Sequence, residues 1–133
     1  DRSCLVGRAN PIAPPLRVRH EGPRAIGTVT FTRQYEGAPG VVHGGFVAAA
    51  IDQVFGYAVC LHNIPSMTGS LTIRYKRPTP LHREVRIEAD LVRDEGRRVH
   101  LEARAYDGET LLAEGETLFI RLRDDHYKEM VKP

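Results

Sequence analysis

Asp52 stands in the middle of the longest apolar stretch of the chain, Phe46 to Leu61, which only it and Gln53 interrupt. An ionised carboxylate buried without partners costs several kcal/mol, so this one must be paired, hydrogen-bonded, protonated or functional. The plain alternative is a structural carboxylate bonded to backbone or facing a solvent gap. A second feature lies upstream, at His43-Gly44-Gly45. Two glycines weaken a helix by about 1 kcal/mol each relative to alanine, so something other than helix propensity is served there. One such requirement is close approach of a ligand to a helix N-terminus, where free N–H groups and the positive dipole end stabilise a developing oxyanion. A tight turn packed on a sheet is the other.

Spacing links the two features. Asp52 is nine residues beyond His43, or about 13 Å along a helix. A reacting carbonyl at the helix start is therefore out of reach of the same helix's Asp52. Two helices packed antiparallel across a two-fold axis would bring the glycines of one beside the aspartate of the other. The chemistry thus demands a dimer with two composite sites.

The elements that must position these groups follow from patterning. The Ala-rich, proline-free run predicts a helix from about His43 to His62, stopped by Asn63 and Pro65. It is apolar on nearly every face, the mark of a buried helix. Leu16 to Arg19 suits a short strand, and Ala25 to Tyr35 alternates as a half-buried strand with Val29, Phe31 and Tyr35 on one side. After the helix, three further alternating runs and a last strand over Thr110 to Leu122 follow, with turns at Asp94-Glu95-Gly96 and Asp107-Gly108. A curved antiparallel sheet of five to six strands around one long central helix covers both apolar surfaces. That α+β arrangement is the hotdog fold, as a single domain over 1–133 with an irregular lead-in over 1–14.

The 133 residues carry a formal charge of +2, too near neutral for a nucleic-acid binder. The apolar stretch falls short of a membrane span. Two cysteines, Cys4 and Cys60, give no disulfide framework; Cys60 reads as a buried thiol, which points to the reducing cytoplasm. His62, His82, His100 and His126 show no metal-ligand spacing, so no metal is expected.

The segment Tyr35-Glu36-Gly37-Ala38-Pro39-Gly40-Val41-Val42-His43-Gly44-Gly45, followed by Ala48-Ala49-Ala50-Ile51-Asp52, resembles the hotdog acyl-CoA thioesterases of the phenylacetate-pathway (PaaI-like) type. Tyr75-Lys76-Arg77-Pro78-Thr79-Pro80-Leu81 and the lead-in Cys4 to Pro11 are similar to that family as well. The resemblance implies hydrolysis of an acyl-CoA thioester by a homodimer or dimer of dimers, with no cofactor beyond the coenzyme A of the substrate. It places the oxyanion hole at the Gly44 N–H, with Gly45 leaving room for the thioester and His43 orienting the helix start or bonding near the carbonyl. Asp52 would be general base or nucleophile, and Thr68 would help hold the attacking water. Glu36 stands where some relatives carry a polar amide near the carbonyl. Val6 and Ala13 depart from the usual lead-in.

Lys76 and Arg77 suit the coenzyme A phosphates, as cationic donors do, or else form a solvated strand end. Two rival functions fit the same fold: a non-catalytic acyl-CoA-binding module, and a hydratase or dehydratase of enoyl-CoA. The second usually wants a histidine on the helix interior, and the helix carries none.

Overall fold

The computed structural model describes residues 14–123. All but the last residue of the lead-in expected over 1–14, including the family-like Cys4 to Pro11, lies outside them, as does His126. Six strands are present: β1 (Arg17–Glu21), β2 (Arg24–Thr30), β3 (Ser66–Tyr75), β4 (Glu84–Asp94), β5 (Arg98–Asp107) and β6 (Thr110–Arg121). The helix α1 (Gly44–Leu61) lies between β2 and β3 in the chain. The strands form one antiparallel sheet in the order β1-β2-β4-β5-β6-β3.

Alternation decides which face of the sheet meets the helix. Val85, Ile87 and Ala89 of β4, and Val99, Leu101, Ala103 and Ala105 of β5, are buried at every second position. Charges fall on the outer face, where Arg24 Nε donates to Asp90 Oδ1 at 2.9 Å and Arg104 Nη2 donates to Asp90 Oδ2 at 2.7 Å. Burial pushes the Asp90 carboxyl up, but these two guanidiniums more than offset it and hold the group below its ordinary pKa. The β4–β5 turn closes as its sequence suggests: Gly96 sits at φ +81° and donates its N–H to Asp94 Oδ1 at 2.9 Å.

The helix bounds match expectation, but its burial does not. Val47, Ala50, Ile51, Val54, Phe55, Ala58 and Val59 form a buried stripe at helical spacing. The opposite face, with Ala48, Ala49, Asp52, Gln53, Gly56 and Tyr57, is only half-buried, and Gly45 is exposed. Among the described residues the sheet covers one side of α1 and leaves the other half-exposed. By length and composition alone α1 would pass as a membrane span, yet its main apolar stripe packs against the sheet. Its close seating depends on Gly27 of β2, where an added Cβ would lie 2.5 Å from Val54 Cγ2.

Two other expectations are corrected. The strand read through Tyr35 stops at Thr30, and Arg33–Tyr35 forms a 3-10 turn. That turn folds Tyr35 back edge-on against Phe31 and Phe46, at centroid distances of 5.7 and 4.9 Å. The alternation persists in sequence because Phe31 and Tyr35 are both buried, although both lie beyond the end of β2. Cys60 is half-buried and disulfide-bonded rather than a buried thiol.

The sheet has two edges of different character. β1 is five residues long and carries two arginines, a histidine and a glutamate. β3 is ten residues long, with Arg74 as its one formal charge, and is exposed or half-exposed throughout.

Candidate active site

The chain enters α1 through a loop fixed from several sides. His43 N–H donates to Tyr35 O at 2.8 Å, Gly37 N–H to Val41 O at 2.8 Å, and Val42 N–H to Thr79 O at 2.9 Å. Glu36 Oε2 accepts the Gly40 N–H at 2.8 Å. Glu36 therefore closes the loop that carries His43.

At the helix start, His43 is the N-cap, and its Nδ1 accepts the Gly45 N–H at 3.0 Å. An accepting Nδ1 carries no proton, so the neutral ring presents Nε2–H as its donor. Gly45 suits this cap because a Cβ there would lie 3.2 Å from His43 Nδ1 and 3.4 Å from Cε1. Phe46 and Val47 both donate to His43 O. Of the first four helical amides, that leaves only the Gly44 N–H without a protein partner among the described residues.

Gly44 opens onto a cleft of about 360 Å³. Its lining includes Val42, Val47, Tyr75, Lys76, Arg77 and Thr79. The helix start at Gly44 and the two cationic residues Lys76 and Arg77 thus border one concavity, a setting that favours an anionic ligand. Tyr75, which sequence reasoning left as a strand residue, shares this lining. Its signal was alternation with Leu71 and Ile73, which turns it toward α1.

Asp52 lies elsewhere, on the open face of α1. Burial pushes its carboxyl pKa up. Its Oδ1 is buried with no hydrogen-bond partner, and Gln53 Oε1 beside it is in the same state. Thr68 is exposed on the edge strand β3, at the register shift around Gly69. Asp52, Thr68, Glu36, His43 and Gly45 do not line the Gly44 cleft. Among the described residues no group of three His, Cys, Asp or Glu side chains converges to hold a metal ion.

A six-stranded antiparallel sheet curled on one long helix is the hotdog fold. The chain belongs to the thioesterase superfamily, whose family model matches residues 39–114. It is similar to the acyl-coenzyme A thioesterase THEM4 of Mus musculus, 37% identical over 89 residues, or 65% of this chain and 38% of that protein. The chain thus spans about two fifths of the length of the curated relatives it matches. Among solved structures, one thioesterase superfamily protein is 33% identical with a TM-score of 0.81, covering 88% of this chain and 62% of that one. A point mutant of the phenylacetic acid degradation protein PaaI from Thermus thermophilus shares the fold. There the TM-score is 0.75 at 24% identity, over 80% of this chain and 93% of PaaI.

Proposed function

We propose that the protein hydrolyses an acyl-CoA thioester in a site composed by two protomers. The observation that carries this reading is Asp52 Oδ1, buried without a partner on the uncovered face of α1. Asp52 lies about 13 Å from its own His43, too far to act on a carbonyl held there. An antiparallel second helix on the open face would place Asp52 of the partner subunit beside Gly44. The long, weakly charged β3 edge supports such pairing, since an unpaired edge is normally short, charged or covered.

In this site the substrate carbonyl oxygen accepts from the Gly44 N–H, with His43 Nε2–H as a second donor. Asp52 of the partner subunit takes a proton from water as the water oxygen bonds to the thioester carbon. The charge that develops on the carbonyl oxygen is held by the helix-start donors. Collapse breaks the carbon–sulfur bond, and the coenzyme A thiolate leaves and is protonated. Thr68 orients the water, and Lys76 and Arg77 take the phosphates. Asp52 as nucleophile, through a mixed anhydride, is the second route. Single-turnover hydrolysis in ¹⁸O-water separates them, since only the anhydride route leaves label in Asp52.

The test is free-thiol release from aromatic and aliphatic acyl-CoAs by wild type and Asp52→Ala, each sized by light scattering. A loss of at least about 10²-fold in a folded, dimeric Asp52→Ala protein supports the reading. Full activity in that variant, or in a strictly monomeric protein, refutes it. Binding without turnover would instead favour a binding module.

A further inference from the structure

We infer that Tyr75 is a positioning residue of this site, clamping the Gly44–Gly45 peptide from its carbonyl side while His43 clamps it from its N–H side. The inference rests on the hydrolytic reading above. Tyr75 Oη donates to Gly44 O at 2.7 Å, and Gly45 N–H donates to His43 Nδ1 at 3.0 Å. Both ends of one peptide unit are thus held by side chains. The tyrosine ring also lies against Gly44, with Cζ and Oη each 3.4 Å from where a Cβ would stand.

The reason lies in what two glycines do to a backbone. They admit close approach of a ligand, but they are also the least restrained residues available. A donor for a developing oxyanion works only if it is aimed beforehand. The Gly44 N–H belongs to the preceding His43–Gly44 peptide, whose carbonyl accepts from Phe46 and Val47. The clamp on the next peptide restrains ψ at Gly44 and φ at Gly45, and so holds the first turn, which carries that N–H, against fraying. The clamp supplies the rigidity that the glycines remove. Tyr75 is 53% exposed, so its bond contributes little to the core. It ends β3 beside Lys76 and Arg77 and shares their cleft. The edge strand therefore ties the oxyanion donor to the cations.

The experiment compares wild type, Tyr75→Phe and Asp52→Ala for kcat, KM and thermal midpoint. It adds amide hydrogen exchange over the peptide that spans Gly44 to Val47. Tyr75→Phe should lower kcat by about 3- to 10-fold, the scale of one neutral hydrogen bond, with KM and the midpoint nearly unchanged. Exchange at the helix start should quicken. Wild-type kcat and exchange in Tyr75→Phe, with Asp52→Ala inactive, overturn the clamp and leave the hydrolytic reading standing. An Asp52→Ala protein as active as wild type fails the hydrolytic reading; the exchange comparison then judges the clamp by itself, and unchanged exchange overturns it. A large drop in thermal midpoint in Tyr75→Phe would make the residue structural and also overturn it.

Discussion

Gly45→Ala separates the stability of the helix start from its chemistry. The added methyl would meet His43 Nδ1 at 3.2 Å and Cε1 at 3.4 Å, crowding the ring that accepts Gly45's own N–H at 3.0 Å. The ring must shift, and the cap weakens or breaks. Loss of an N-cap costs about 0.5–2 kcal/mol. Alanine in place of glycine returns up to about 1 kcal/mol. The net change stays within about 1 kcal/mol, so the thermal midpoint should move by no more than about 4 °C in a chain of this size. Turnover should respond differently. Displacing the imidazole by a fraction of an ångström moves its Nε2–H off the carbonyl, and a full 1 Å misplacement costs on the order of 10²-fold. A kcat loss of about tenfold or more is expected. His43→Asn is the control: asparagine caps well but offers no Nε2–H, so stability should hold while turnover falls. Thiol release and thermal unfolding on the same samples decide the matter. Wild-type kcat in Gly45→Ala would refute the placement of His43 at the reacting carbonyl.

Asp52→Asn should abolish turnover yet raise stability at neutral pH, because it removes a charge that burial disfavours. The carboxyl pKa is raised in the folded state, so its ionisation disfavours folding; the gain should vanish below about pH 4, where Asp52 is protonated in both states. Thermal scans across pH would show this. For the same reason the acid limb of kcat/KM should lie above the ordinary carboxylate range. Asp90 runs the opposite way: its folded pKa is lowered by Arg24 and Arg104, so its contribution is full above about pH 4 and is lost as pH falls through the folded value. Arg104→Leu should cost roughly 0.2–1 kcal/mol, the range of partly exposed pairs, and raise the midpoint pH of acid unfolding. Gly27→Ala forces a methyl to 2.5 Å from Val54 Cγ2 and should cost about 1–3 kcal/mol, read as a lower urea midpoint at unchanged slope.

Much of this molecule is legible in its sequence because local rules and tertiary demands agree. The helix expected from His43 to His62 runs Gly44–Leu61 with those two histidines as caps. The alternations of β4 and β5 name their buried residues, except that Leu91 at the far end of the β4 run is only half-buried. Asp52 stands out in the sequence as a polar group in an apolar run, and it is a partnerless oxygen in the fold. What the sequence did not show is which face of the apolar helix its own sheet covers and which it leaves for a second copy. Composition reports what a surface avoids, not which neighbour covers it, and Ala48, Ala49 and Gly56 look alike on a core face or an open one. The Arg33–Tyr35 turn was hidden because Phe31 and Tyr35 keep strand-like alternation across a bend. The contact of Tyr75 with Gly44 depends on a partner 31 residues away in the chain, which no local pattern encodes.

The unequal edges of the sheet have a consequence for the life of the protein in a cell. β1 carries charge enough to discourage a passing strand, whereas β3 offers ten residues of open backbone with one charge. Among the described residues nothing pairs with the outer edge of β3, so in the proposed dimer a protomer without its partner would be an aggregation template. A substitution that weakens pairing should then show up first as insoluble protein and chaperone load, before any loss of turnover in the fraction that remains soluble.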